Sequence, residues 1–273
     1  MKILSSIFFS LLITQAIAGD LPREFVITKN EMFLYGNPKE IQYKSQKTDI
    51  TYHFNESGVL TKKLSNQYGT PSMILDIKGN KFGKIAESNI PDKLSLNSGT
   101  TYEPLQFDSK NRVTAINKTN RSKGSTTVIS QHGVTVISYE PLKQTSNTYL
   151  DRALASKKIF ELSADDQILK YTEKNFLSIS SIVDPDKTIE YGKFGPLKMQ
   201  FGPFETTYNY NDGVLISEIT RREAYSSVIS EKIYDNYTLD ECGNWTFREV
   251  YDEKAEINPI SERRIIKYFS ECK

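Results

Sequence analysis

A short pattern that recurs five times constrains this chain more than any other feature. It runs aromatic or Leu, any residue, aromatic or Leu, then a polar turn ending in Gly or a stand-in, then an aliphatic residue or Trp two positions on. The clearest copies are Tyr52-His53-Phe54-Asn55-Glu56-Ser57-Gly58-Val59-Leu60 and Tyr237-Thr238-Leu239-Asp240-Glu241-Cys242-Gly243-Asn244-Trp245. In the second, Asp240 opens a type I turn, where a side-chain oxygen can accept a nearby backbone N–H. Gly243 falls where the chain must turn left-handed to rejoin the ladder, and glycine does so without a Cβ penalty. Counting outward predicts Leu239 opposite Trp245 and Tyr237 opposite Phe247. Residues two apart share a face, so the four apolar side chains are expected to lie together. The same count sets Phe54 opposite Leu60.

The degenerate copies obey the same backbone demand. Leu105 to Val113 carries Asn111 at the glycine position, and Phe160 to Ile168 carries Asp166. Asn and Asp are the non-glycine residues that best tolerate the left-handed region. The fifth copy, Tyr208 to Leu215, is one residue shorter, and its Asp212-Gly213 turn sets Tyr210 opposite Leu215. Gly58, Asn111, Asp166, Gly213 and Gly243 are therefore the predicted turn positions, and five hairpins on one rule indicate repeated β structure.

Residues 1–18 read as a secretory signal peptide. Lys2 supplies the positive start, Ile3 to Ile13 the apolar stretch, and Ala16-Ile17-Ala18 a small-x-small site that places cleavage between Ala18 and Gly19. A spanning helix needs about 20 unbroken apolar residues, and Ser5, Ser6, Ser10, Thr14 and Gln15 interrupt this run. No later stretch is apolar enough to span, so the mature chain carries no predicted transmembrane segment. Loss of the leader removes Lys2 and no acid, leaving 34 basic and 34 acidic side chains. A net charge of zero argues against a nucleic-acid partner, which leaves a basic footprint. The 16 Tyr and 14 Phe carry much of the burial, which suits a sheet with one covered face.

Residues 19–273 read as one all-β domain, an antiparallel sheet of consecutive hairpins with little helix. The sheet is expected to be curved or partly wrapped, open barrel-like; whether it closes is left undecided. Repeats are close at 32–64 and 191–252 and degenerate over 65–190. The weaker central strands are placed at Met73–Ile77, Thr126–Ser130 and Val134–Tyr139, with Lys118 to Lys123 as a solvated basic loop and His132 in a turn. Tyr149 to Lys158 has helical spacing, yet it feeds directly into the fourth hairpin, so strand is favoured over helix across 146–158.

Tyr237 to Asp252, with Tyr-x-Leu-Asp-x-x-Gly-Asn-Trp-Thr followed by Arg-x-x-x-Tyr-Asp, resembles the YD repeats of the Rhs-like class of bacterial exported proteins. Leu34-Tyr35-Gly36-Asn37-Pro38-Lys39 resembles the lead-in of small members with few repeats. The resemblance is close over 237–252, fair at 32–64 and 191–220, and weak between. It implies hairpins in curved antiparallel sheets and an exported scaffold, without shared catalytic residues.

No constellation for catalysis, cofactor or metal binding emerges. His53 lies on the strand face opposite Tyr52 and Phe54, and two histidines with two cysteines make no zinc set. The acidic pairs Asp165/Asp166, Asp184/Asp186 and Asp240/Glu241 fall at turns, where Asp is expected for backbone reasons. The sequons at Asn55, Asn117, Asn120, Asn236 and Asn244 are read as chance occurrences. The leading expectation is a non-catalytic exported β scaffold that binds a protein or an envelope component. The competing readings are an accessory or immunity protein of an Rhs-type competition system, and a hydrolase with an irregular site.

Cys242 and Cys272 are the only cysteines, and export places them where thiols oxidise. Setting Tyr251 opposite Glu262 would bring residue 271 opposite Cys242, so a Cys242–Cys272 disulfide is predicted. Closing that loop contributes about 3–4 kcal/mol in the chain-entropy account. The intact mass of exported protein should correspond to a chain starting at Gly19 and lighter than the reduced form by two hydrogens. A full-length mass, or an unchanged mass on reduction, would overturn the first or the second of these.

Overall fold

The computed structural model describes residues 22–25, 32, 34–46, 48–67, 70–77, 85–87, 99–123, 128–177, 185–222, 227–252 and 259–271. The leader with Ala18 and Gly19, Asp184 and Cys272 lie outside them. The described residues form a single 3₁₀ turn, Arg23–Phe25, and eighteen strands. The first six are β1 (Pro38–Lys44), β2 (Thr48–Phe54), β3 (Leu60–Gln67), β4 (Thr70–Ile77), β5 (Ile85–Glu87) and β6 (Gly99–Phe107). The next six are β7 (Val113–Lys123), β8 (Val128–Glu140), β9 (Lys143–Leu150), β10 (Ala153–Leu162), β11 (Ile168–Asn175) and β12 (Lys187–Gly192). The last are β13 (Gly195–Phe201), β14 (Phe204–Asn211), β15 (Val214–Arg222), β16 (Ser227–Leu239), β17 (Trp245–Asp252) and β18 (Ile260–Tyr268).

Every strand pairs antiparallel with its neighbours in sequence, and β18 pairs with β1 as well as β17. The expected curved sheet of consecutive hairpins is thus present, wrapped far enough that its last strand lies beside its first. This up-and-down order sends every even-to-odd connection to one end. All five pattern turns join an even strand to the next odd one, so they gather at the same end, together with the start of β1 and the finish of β18. Residues 146–158 are strand: β9 and β10 meet through Asp151 and Arg152, at φ 48° and 69°.

The turn positions hold as predicted. Gly58, Asn111, Asp166, Gly213 and Gly243 have φ of 77°, 61°, 61°, 84° and 83°. Asp240 Oδ1 accepts from Cys242 N and Asn244 N at 3.0 and 2.9 Å. Asp108 Oδ1 takes the equivalent bonds from Lys110 and Arg112, both at 2.9 Å.

Each of the five hairpins also drops one residue out of register two positions past the turn. Phe54 faces Leu60 but His53 faces Lys62, leaving Thr61 unmatched. The same step leaves Thr114, Leu169, Ile216 and Thr246 unmatched in the other copies. In the two closest copies the unmatched threonine hydroxyl donates across the bulge, Thr61 to His53 O at 3.1 Å and Thr246 to Thr238 O at 3.2 Å. A bulge bends its strand and interrupts the two-residue alternation, so residues three apart come to share a face. Val113 and Ile116 both enter the core, and Arg248 lies over Trp245.

This corrects the expected pairing of Tyr237 with Phe247. Leu239 does face Trp245, but Phe247 faces Thr238, and the register returns only at Asp235–Glu249, past Asn236 at φ 52°. Phe247 consequently points away from Trp245, toward Arg263. The assumed β17–β18 register is corrected too: Val250 faces Ile260 and Arg248 faces Glu262. Lys118 to Lys123 is not a loop but part of β7, and His132 is mid-strand in β8, its Nδ1 3.2 Å from Thr119 Oγ1. Both follow from β7 and β8 continuing their ladder from Ala115–Val136 to Lys123–Val128, through a stretch of basic and polar residues.

Phe25, Leu34, Ile41, Phe54, Leu60, Tyr102, Val113, Ile116 and Ile137 make the core. They come from β1, β2, β3, β6, β7, β8 and the segment before β1, and their shared face defines the inward side. Strand β8 shows the alternation plainly: Gly133, Thr135 and Ile137 are buried, Val134 and Val136 exposed. The outward side carries cross-strand ion pairs, Lys267–Glu40 at 2.7 Å, Lys198–Glu205 at 2.8 Å and Lys170–Glu190 at 3.7 Å.

Substituting Gly243→Val should cost roughly 1–3 kcal/mol, because a β-branched residue fits positive φ poorly. An added Cβ there would meet only Tyr35, at 3.9 Å, so the cost is in the backbone rather than a clash. Gly58→Asn should cost well under that. Equal losses in denaturant melts would contradict this account of the turns.

Candidate functional site

The chain before β1 packs into the repeat-turn end. At one side, Arg23 N donates to Gln144 Oε1 at 2.7 Å, Arg23 Nη2 donates to Asp166 O at 3.2 Å, and the Phe25 ring sits 4.8 Å from Tyr102. At the other side, Asn244 clamps Tyr35: Tyr35 N donates to Asn244 Oδ1 at 2.9 Å, and Asn244 Nδ2 donates to Tyr35 O at 3.0 Å. Asn244 Nδ2 also donates to Tyr268 Oη at 2.8 Å. At 3 % exposed, Asn244 is a buried structural amide, whatever its sequon suggests.

Beneath Tyr35 is a recess of about 240 Å³, reached by Met32, Tyr210, Leu215, Trp245, Arg248 and Arg264 among others. Its floor is electrostatic. The Arg264 guanidinium lies 3.7 Å from the centroid of the Trp245 ring and that of Arg248 lies 4.2 Å from it, both within cation–π range. Arg248 also covers Tyr234 at 4.3 Å. Glu262 is engaged on both oxygens: Oε2 receives Arg248 Nε and Nη2, each at 2.6 Å, and Oε1 receives Tyr43 Oη at 2.6 Å.

These contacts shift the groups in opposite senses. Burial pulls Arg248 down, but Glu262 and Tyr237 outweigh it and hold the guanidinium above its usual range. Burial pulls Arg264 down to about 10, and repulsion from Arg248 adds to this. Burial, then the Glu218 carboxylate, raises Tyr208 to about 12. Burial raises Tyr210 as well. Tyr210 reaches its place because Gly195 has no side chain: a Cβ there would fall 1.9 Å from its hydroxyl oxygen.

Of the sequence-predicted positions, Gly213 and Gly243 border this recess, and Asn111, Gly58 and Asp166 mark other turns at the same end. Cys242 is adjacent in the β16–β17 turn and carries no free thiol. His53 is half-exposed on the outward side, 3.6 Å from Glu40. The Asp186 carboxylate receives Asn175 N at 3.2 Å. Among the described residues no group of three or more His, Cys, Asp or Glu could hold a metal ion, and no helix is long and apolar enough to cross a membrane.

Arg248, Arg264 and Glu262 escaped the sequence reading. Strict alternation puts Arg248 on the opposite face from Trp245; the bulge at Thr246 brings it round. Arg264 and Glu262 reach Trp245 only through the β18 pairings, which no local signal specifies.

No protein-family model matches this chain, and no curated protein matches it. Among solved structures it is similar to a porin-like protein from Bacteroides uniformis ATCC 8492, with 14% identity over 86% of this chain and 98% of that one and a TM-score of 0.40. It is also similar to a porin-like protein from Bacteroides vulgatus ATCC 8482, with 12% identity over 85% of this chain and 98% of that one and a TM-score of 0.35.

Replacing Asn244 by Ala should destabilise the protein by roughly 1–3 kcal/mol, since it strands the Tyr35 N–H and C=O. Asn244→Asp, which keeps the acceptor but not the donor, should fall between. Denaturant melts measure the loss, and hydrogen exchange at Tyr35 should rise with it. Unchanged exchange in Asn244→Ala would show that the amide does not hold the segment.

Proposed function

We propose that this protein is a non-catalytic exported β scaffold that binds an envelope component or a protein partner through its repeat-turn end. The observation that carries the reading is the recess beneath Tyr35, where, among the described residues, aromatic rings and two guanidiniums converge without a nucleophile or acid–base pair lining it. Recognition needs convergent polar groups in an apolar recess; chemistry needs a reactive group as well. The outward ion pairs favour a wall that faces water, because a lipid-facing barrel presents an apolar band there. Export also accounts for the proposed Cys242–Cys272 bridge. Although the β17–β18 register differs from the one assumed, Ser270 and Glu271 border the same cavity as Cys242, so the chain end approaches Cys242 by another route. The YD-repeat kinship belongs to this proposal and rests on the shared turn chemistry.

Mature protein immobilised and exposed to envelope extract should retain one component saturably, and soluble mature protein should compete for it. Trp245→Ala should weaken retention roughly tenfold, the effect of losing about 1.4 kcal/mol. Non-saturable retention would overturn the binding reading, and turnover of the retained component would overturn the non-catalytic one.

A further inference from the structure

Arg264 is a cation without a counter-ion. Its one carboxylate neighbour, Glu262, already serves Arg248 and Tyr43. Among the described residues, no acceptor takes a hydrogen bond from Arg264 and no acid pairs with it; its contact is the face of Trp245 at 3.7 Å. Burying a guanidinium unpaired is costly, and stacking on an indole recovers only part of the lost hydration. Arg248 beside it adds repulsion rather than relief. Two guanidiniums against one carboxylate leave the recess with one uncompensated positive charge.

We propose that the recess beneath Tyr35 binds a small organic monocarboxylate, whose carboxylate pairs with Arg264 and whose apolar body packs against Trp245, Tyr210 and Leu215. This deepens the scaffold reading and rests on it. A guanidinium held over an aromatic face spends no N–H donor on an acceptor there, so its fork stays available to a carboxylate. The single uncompensated charge matches a monoanion better than a doubly charged phosphate. A volume of about 240 Å³ lies below the roughly 300–1,000 Å³ of pockets for drug-sized ligands, so the occupant is small. Met32, Val214, Leu215 and Leu239 supply the apolar wall.

Trp245 is the only tryptophan in the chain, so its emission reports occupancy directly. Sodium benzoate and sodium hexanoate, titrated into mature protein at constant ionic strength, should change that emission saturably. Sodium chloride should not, and benzamide, which keeps the ring but not the charge, should bind about tenfold more weakly or worse. Arg264→Gln should abolish the response, Arg264→Lys should weaken it, and the outward-facing Arg263→Gln should leave it intact. An equal response to benzoate and chloride, or a full response in Arg264→Gln, would overturn the proposal. Near-ultraviolet circular dichroism checks that each variant is folded; if Arg264→Gln is not, a full-strength response in folded Arg264→Lys overturns it instead. Envelope retention that persists while carboxylates give no signal would sink this site and leave the scaffold reading standing. A carboxylate response without envelope retention would do the reverse.

Discussion

The hairpin that turns through one residue at positive φ and then drops one residue out of register is the unit on which the rest depends. The turn reverses the chain, and the bulge at Thr61, Thr114, Leu169, Ile216 or Thr246 changes which side chains face inward. Repeating that step at the same level bends the wall at one end. The unmatched threonines of the closest copies show how the step is stabilised: a hydroxyl donates across the bulge to a carbonyl of the facing strand. Without the bulge Phe247 would turn inward and Arg248 outward, and Trp245 would lose one of its two guanidiniums.

Gathering these hairpins at one end has a second consequence. That end holds most of the buried apolar side chains, from Phe54 and Leu60 to Val113 and Ile137, and receives Phe25 and Leu34 from the chain before β1. Elsewhere the inward side relies on hydroxyl pairs such as Thr135–Thr148 at 2.9 Å and Thr206–Thr220 at 3.0 Å. Cross-strand hydroxyl pairs of this kind contribute only a few tenths to about 1 kcal/mol each. Apolar burial is therefore concentrated where the recess is, and Asn244 ties the lid residue Tyr35 to the same turn that carries Trp245. One asparagine therefore links the packing of the chain before β1 to the geometry of the recess.

Much of this was legible in the residues. The turn positions, including the substitutions to Asn111 and Asp166, follow from steric rules local to four or five residues, and the strand assignment over 146–158 followed from the need to feed a hairpin. The misreadings share one cause. Tyr237 with Phe247, His132 in a turn and Lys118 to Lys123 as a loop all came from extending a local pattern past the point where a partner strand takes control. Polar and basic side chains at 118–123 look like loop when taken alone; opposite Val128 to Gly133 they are an ordinary ladder.

The amino-acid order alone determined the hairpins, because positive φ, Asx capping and two-residue alternation act between residues close in the chain. Only the tertiary structure decided that β18 returns to β1, since pairing between chain ends depends on the summed twist of every strand between them. That return sets Arg264 opposite Tyr43, while the β17–β18 register sets Glu262 opposite Arg248. Whether a guanidinium finds its carboxylate or remains without one is a property of that long-range register, and among the described residues it leaves Arg264 against Trp245 with no paired carboxylate.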